Sequence, residues 1–214
     1  MSRPRVHSLL ATLLLLATFV PAAFAKHGPK DATILIIRHA EKAEDKNDPG
    51  LSKVGLQRAS LYPEYFSHLT LDGQPVHIDY LFGSKVTPQS DRPHLTITPL
   101  SESLHLPMKL MFGDDQYQNL ARDLITGEFD HKTTLICWHH SKIPELIHEL
   151  GGKPKEILGP DQWLETVYGW IVVLRFGPTG ELKEGYALNE HLMPDDTKEP
   201  PARKKSEAAE EGPK

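Results

Sequence analysis

Four apolar residues in a row, Ile34-Leu35-Ile36-Ile37, run directly into Arg38 and His39. An unbroken apolar run of this length is the pattern of a strand buried on both faces, and it predicts a strand over about 33–38. Similar runs cover 78–82 and 133–138. A fourth covers 169–176 and turns through 177–180 into a hairpin reaching about Ala187. Residues 108–112 read as a short edge strand. Helical patterns fill the intervals. Ser52 can cap a helix running through Gln57, Arg58 and Ala59, with Pro63 restarting or kinking it. Leu95, Leu100 and Leu104 keep helical spacing over 92–104, interrupted by Pro99. Asp114 or Asp115 can cap a helix ending near Gly127, and a helix over 141–150 stops at Gly151-Gly152. Strands separated by helices predict an α/β sandwich around a mostly parallel sheet.

The two ends of the chain do not share this pattern. Arg3 and Arg5 precede an apolar run over 9–20, and Ala23-Phe24-Ala25 supplies a small-x-small cleavage site. Residues 1–25 are therefore expected to be a signal peptide cleaved after Ala25, which places the mature protein in the periplasm or outside the cell. The run is short for a membrane span of about 20 residues. From about Pro194 the composition turns to Pro, Asp, Glu and Lys, and residues 194–214 are expected to form a solvated, disordered tail. Residues 26–193 remain as one domain.

Removing Arg3 and Arg5 with the leader moves the formal charge from -5 to -7. A mildly acidic chain without a basic block argues against nucleic acid or an anionic membrane as partner. The single cysteine, Cys137, excludes an internal disulfide. It also excludes cysteine-rich zinc ligation, and no His-Glu-x-x-His helix is present to suggest a metal site. His39-x-Glu41 matches part of the zinc deaminase pattern, yet no Pro-Cys-x-x-Cys follows.

Three strand ends deliver candidate chemistry. The first gives Arg38 and His39. The second is followed by Ser84 and then Ser90-Asp91-Arg92, and the third by His139-His140-Ser141. In a parallel sheet these ends lie at one edge. Guanidinium groups present planar forks of donors that match phosphate oxygens. Phosphoryl transfer is helped mainly by such positioning and charge stabilisation, and a neutral histidine aimed at phosphorus can act as the nucleophile.

These motifs resemble those of the histidine phosphatase superfamily, the phosphoglycerate-mutase-like group. An apolar strand followed by Arg-His-Ala-Glu matches residues 34–41. Leu51, Ser52, Gly55, Arg58 and Ala59 follow the family's next stretch. Ser84, Ser90, Arg92 and Thr96 match its second signature, and 135–138 with His140, Ser141, Ile143 and Pro144 its third. The resemblance covers most of residues 32–176. It implies a three-layer α/β/α sandwich, a small phosphorylated substrate and no metal or other cofactor. It makes His39 the nucleophile, Arg38 and Arg92 the phosphate clamps, and His140 the second pocket histidine. His140 is preferred to His139 because His139 falls where the family usually has a small residue just before its histidine, and because neighbours on a strand point to opposite faces and so are unlike in role.

For the remaining groups the expectation is structural. Arg58 is read as a helix-surface arginine beside the pocket, Glu41 and Lys42 as a solvated ion pair, and His68, His105 and His148 as surface residues. The leaving-group acid is unassigned: Glu102, Asp114 and Asp115 are candidates, and the two aspartates read equally as helix caps. Pocket lining is expected from 106–127 and from the 160–166 loop with Trp163. The expected activity is a secreted, metal-independent phosphohydrolase. The alternative is a phospho-ligand-binding member of the same fold that has lost turnover.

Overall fold

The structure is a computed structural model that describes residues 26–45 and 47–203. The leader at 1–25 and the end of the tail at 204–214 lie outside the described residues. Among the described residues, no helix is long and apolar enough to cross a membrane.

The apolar runs form a six-stranded sheet. Its strands are β1 (Thr33–Arg38), β4 (Tyr80–Gly83), β5 (Met108–Lys109), β6 (Thr133–Trp138), β7 (Trp170–Phe176) and β8 (Leu182–Asn189). β2 (Thr70–Leu71) and β3 (Gln74–Pro75) make a small separate hairpin. The order across the sheet is β5-β4-β6-β1-β7-β8, with β5, β4, β6 and β1 parallel and β7 antiparallel to both its neighbours. The sheet is thus mostly parallel, as expected.

Side-chain alternation sorts the central strands into two cores. Ile34 and Ile36 of β1 and Ile136 and Trp138 of β6 face α3 (Tyr117–Leu124), α4 (Ile143–Glu149) and α5 (Pro154–Leu158). Leu35, Ile37, Leu135 and Cys137 face α1 (Lys53–His68) and α2 (Arg92–Leu104). With helices on both faces, the architecture is a three-layer α/β/α sandwich. Each central strand is buried on both sides, which is why it reads as an unbroken apolar run rather than as an alternating one.

Local chemistry explains the element boundaries. Ser52 caps α1, its Oγ accepting from Gly55 N–H at 3.0 Å. α1 passes through Pro63 without a break, since proline removes a single N–H from the helical ladder. The predicted cap of the third helix is replaced by a 3-10 turn over Asp114–Gln116, closed by the Gln116 side chain accepting from Gly113 N–H at 2.8 Å. β5 is shorter than expected, and α5 and the β2–β3 hairpin were not foreseen.

The C-terminal segment departs from expectation over 194–203. Instead of a solvated tail, these residues lie against the domain. Trp170 Nε1 donates to Lys198 O at 2.6 Å, Asn189 Nδ2 donates to Asp196 O at 2.8 Å, and the Asp196 carboxylate grips Arg58. Arg203 pairs with Asp72 and Glu184 and stacks on Tyr186. Charge composition suggested solvation, but Asp196 finds its partner on α1, and Arg203 finds its partners in the β2–β3 turn and on β8.

Arg58 is fully buried, not a surface residue. Its guanidinium donates to Glu41 at 2.7 Å, to Asp196 at 2.8 Å through two nitrogens, and to Glu190 at 3.2 Å. Glu41 and Asp196 already more than balance its single charge. Burial therefore dominates at Glu190 and pushes its carboxyl up to about 8, against the pull of Arg58. A carboxyl raised in the folded state contributes stability that is complete below its unfolded value and is lost as pH rises through about 8. Glu190→Gln should therefore gain in melting temperature relative to wild type as pH rises from 5 to 8.5. A difference independent of pH in thermal melts would contradict this.

Candidate active site

The parallel register aligns three strand ends. Arg38 of β1 sits opposite Trp138 of β6, and Gly83 of β4 opposite Cys137. Because β7 runs the other way, its N-terminal end, and the loop that leads into it, reach this same edge. The 160–168 loop thus closes over the strand ends although it lies far along the chain.

Alternation continues past the strands and divides the site. Arg38 turns toward the loop side. Its Nη1 donates to Glu165 O at 2.6 Å and Val167 O at 2.9 Å, and the guanidinium lies over the Tyr168 ring at 3.8 Å. Its Nε is buried without a hydrogen-bond partner. Burial pulls this arginine down to about 10, so it remains a cation at neutral pH.

His39 is buried and lies on the α1–α2 side. Its Nδ1 is 2.7 Å from Ala40 O. A carbonyl can only accept, so Nδ1 carries the proton and Nε2 keeps its lone pair. Burial, followed by the charges of His139, Arg38 and Arg92, holds the ring well below the ordinary histidine range and hence neutral.

Arg92 opens α2 and gathers the loops around it. It donates to Gly50 O at 3.2 Å, to Asp48 O at 3.1 Å and to Ser90 Oγ at 3.3 Å. One turn on, Thr96 Oγ1 donates to Arg92 O at 2.7 Å and accepts from Ala40 N–H at 2.9 Å. The Arg-x-x-x-Thr spacing thereby ties the helix to the loop that carries His39. Gly55 serves the same loop: a Cβ there would run into the Glu41 carbonyl oxygen, so only glycine lets α1 pack so close.

The two histidines after β6 part company. His140 takes the Arg38 side, with Nε2 at 3.7 Å from Glu165 Oε1. Burial, then the charges of Arg38 and Lys42, lower it to about 4. His139 takes the His39 side, where the two rings meet edge-on with centroids 5.1 Å apart and His139 Nε2 is 3.0 Å from Ser84 Oγ. The same alternation that argued for His140 places His139 against His39, a contact that sequence reasoning did not anticipate.

Other expectations are corrected. Glu41 and Lys42 do not pair: Glu41 is taken by Arg58, while Lys42 is lowered by burial and by the charges of Arg38 and Arg92 and adds a third cation to the pocket. Among the acid candidates, Glu102 stands near the far end of α2, about 15 Å along its axis from Arg92. Asp115 is committed to Lys142 at 2.9 Å. Asp114 has its carboxylate on Asp115 N–H at 3.1 Å, and of the three it alone exerts a charge on a pocket histidine, His139. The 160–166 loop, expected as pocket lining, does line the cavity at Asp161, Gln162, Trp163 and Glu165. Tyr168 under Arg38 and the approach of Glu165 to His140 were not anticipated, because both depend on the reversal of β7. Among the described residues, no group of three or more His, Cys, Asp or Glu side chains is arranged to hold a metal ion.

No protein-family model and no curated protein matches the sequence. Solved structures do match in fold. The protein histidine phosphatase SixA complexed with tungstate is 17% identical with a TM-score of 0.47, over 74% of this chain and 97% of that one. A phosphoserine phosphatase from Entamoeba histolytica in complex with phosphoserine is 13% identical with a TM-score of 0.48, over 72% and 96%. Phosphoglycerate mutase from Bacillus anthracis is 13% identical with a TM-score of 0.44, over 73% and 92%. The likeness is one of fold.

Proposed function

We propose that the protein is an exported, metal-independent phosphohydrolase that cleaves a phosphate ester through a phosphohistidine on His39. The observation that carries this reading is the His39–Ala40 hydrogen bond. It fixes the tautomer with a free Nε2 in a ring kept neutral by burial, beside two arginines and Lys42. The export pattern of residues 1–25 supports action outside the cytoplasm.

In the first step Nε2 of His39 attacks phosphorus. An N–P bond forms as the bond to the leaving oxygen breaks, and that oxygen takes a proton from solvent or departs as the anion. Arg38 offers its unpartnered Nε–H to a phosphoryl oxygen, and Arg92, Lys42 and His140 surround the remaining charge. In the second step water attacks phosphorus. The N–P bond breaks, inorganic phosphate leaves, and His39 returns to its neutral form. Loss of an aryl oxide needs no proton from the protein, which makes an aryl phosphate the suitable probe.

The test is phosphate release from an aryl phosphate in excess chelator, with quenching to trap acid-labile, alkali-stable phosphate on the protein. Turnover unaffected by chelator and a trapped phosphoprotein are expected. Activity that vanishes with chelator would sink the metal-free mechanism. A melting temperature raised by inorganic phosphate, with no phosphate released over hours, would favour the binding-only reading.

A further inference from the structure

A cavity of about 580 Å³ opens at His140, on the side of the site where Arg38 meets the 160–168 loop. His140 and Glu165 stand at its junction with the site. Beyond them it runs between one face of α4, carrying Pro144, Glu145 and His148, and the loop carrying Asp161 and Trp163. A phosphate ester held by Arg38 and Arg92 has this cavity as the space for its leaving group.

The lining has an unusual charge balance. Three acidic residues, Glu145, Asp161 and Glu165, line the cavity, and among the described residues no lysine or arginine does. Of the two histidines, His140 is lowered to about 4, chiefly by burial, and is neutral near pH 7. Nearby lysines form their ion pairs with other carboxylates, Lys142 with Asp115, Lys26 with Glu149 and Lys153 with Glu156, although Lys26 Nζ also lies 2.8 Å from Nδ1 of His148 at the cavity wall. Among the described residues, neither Glu145 nor Asp161 has an ion-pair partner, and Glu145 Oε2 is buried with no hydrogen-bond partner at all. A buried carboxylate oxygen without a donor is costly unless something brings one. Trp163, buried and packed on Trp170, forms part of the cavity wall.

We infer that this cavity selects a phosphate ester whose leaving group carries a cationic nitrogen, such as a protonated or quaternary amine, with Glu145 and Asp161 as its counter-charges. The inference rests on the phosphohydrolase reading above. Segregation of charge gives it chemical sense. The phosphoryl end meets the cations Arg38, Arg92 and Lys42, and the other end of the substrate meets carboxylates. An anionic leaving group such as a phosphorylated hydroxy acid would be repelled from the same space.

Three aryl phosphates that differ only in a remote para group provide the test: aminomethyl (cationic), methyl (neutral) and carboxylate (anionic). The quantity read is the ratio of kcat/KM for the cationic to the neutral ester, compared between wild type and a Glu145→Gln/Asp161→Asn double variant, so that differences in leaving-group reactivity cancel. A wild-type ratio at least tenfold above that of the double variant is expected, with the anionic ester poorest, and the gap should shrink as salt is raised. The same ratio in both proteins would overturn the inference. Dissociation constants of the three matching benzylphosphonates, which cannot be hydrolysed, separate this from the parent reading. Preference for the cationic phosphonate without phosphate release from any ester would overturn the hydrolase reading and keep the cavity assignment. Equal dissociation constants for all three would overturn the cavity assignment whatever the activity.

Discussion

Replacing His39 with alanine should lower kcat for an aryl phosphate by at least about 10⁴-fold, the scale on which covalent enzymes lose rate when the nucleophile goes. No neighbour can substitute. His139 meets the His39 ring edge-on and points its Nε2 at Ser84, and His140 lies on the opposite side of the strand end with Arg38. The variant should still bind inorganic phosphate, because Arg38, Arg92 and Lys42 are untouched. A phosphate-induced rise in melting temperature therefore separates a lost nucleophile from a lost fold. The wild-type pH profile carries a second expectation. Burial lowers the His39 imidazole, so it stays neutral, and competent to attack, to a pH below the ordinary value of 6.5. The acid limb of kcat/KM should fall below that value. Phosphate release that survives in His39→Ala, or disappears in His139→Ala while His39→Ala remains active, would move the nucleophile elsewhere.

Much of this site could be read before any coordinates. β1 and β6 were legible because both faces of each strand are buried, leaving an apolar run that ends in chemistry. Arg92 stood out because it follows the second strand, and Thr96 through the resemblance to the family's second signature. What escaped notice depends on long-range closure. Arg58 lies on α1, but Glu190 and Asp196, which bury it, come 132 and 138 positions later. No local pattern distinguishes such an arginine from a solvated one. The stretch over 194–203 was misjudged for the same reason, since its acidic and basic residues look solvated until their partners are placed. The 160–166 loop was expected to line the pocket, but the approach of Glu165 to His140 was missed because it depends on the antiparallel insertion of β7, a matter of topology and not of periodicity. Two-residue strands such as β2 and β3 are too short to carry a period.

Arg58→Met should cost about 3–5 kcal/mol, the usual range when one member of a buried ion pair is removed and its partners stay behind. For a domain of this size that corresponds to a fall in melting temperature of roughly 6–20 °C. Burial alone would weaken the arginine's charge. The hydrogen bonds it donates to Asp196 and then to Glu41 more than reverse this, so its folded pKa is raised above the ordinary value. Methionine preserves much of the volume but strands two ionised carboxylates beside Glu190 and Tyr62, which are wholly enclosed. Removing one of the stranded charges should recover stability: Arg58→Met/Asp196→Asn should be less destabilised than the sum of the single variants, by at least about 1 kcal/mol. Activity should fall with stability in the single variant, because Glu41 is two residues from His39 and its carbonyl also accepts from Ser52 N–H at 2.9 Å. Additive effects in the double-mutant cycle, or a single-variant loss below about 1 kcal/mol, would show that the cluster does not act as a unit. Non-additivity would make Arg58 the bridge by which the C-terminal segment holds the loop carrying His39 in place.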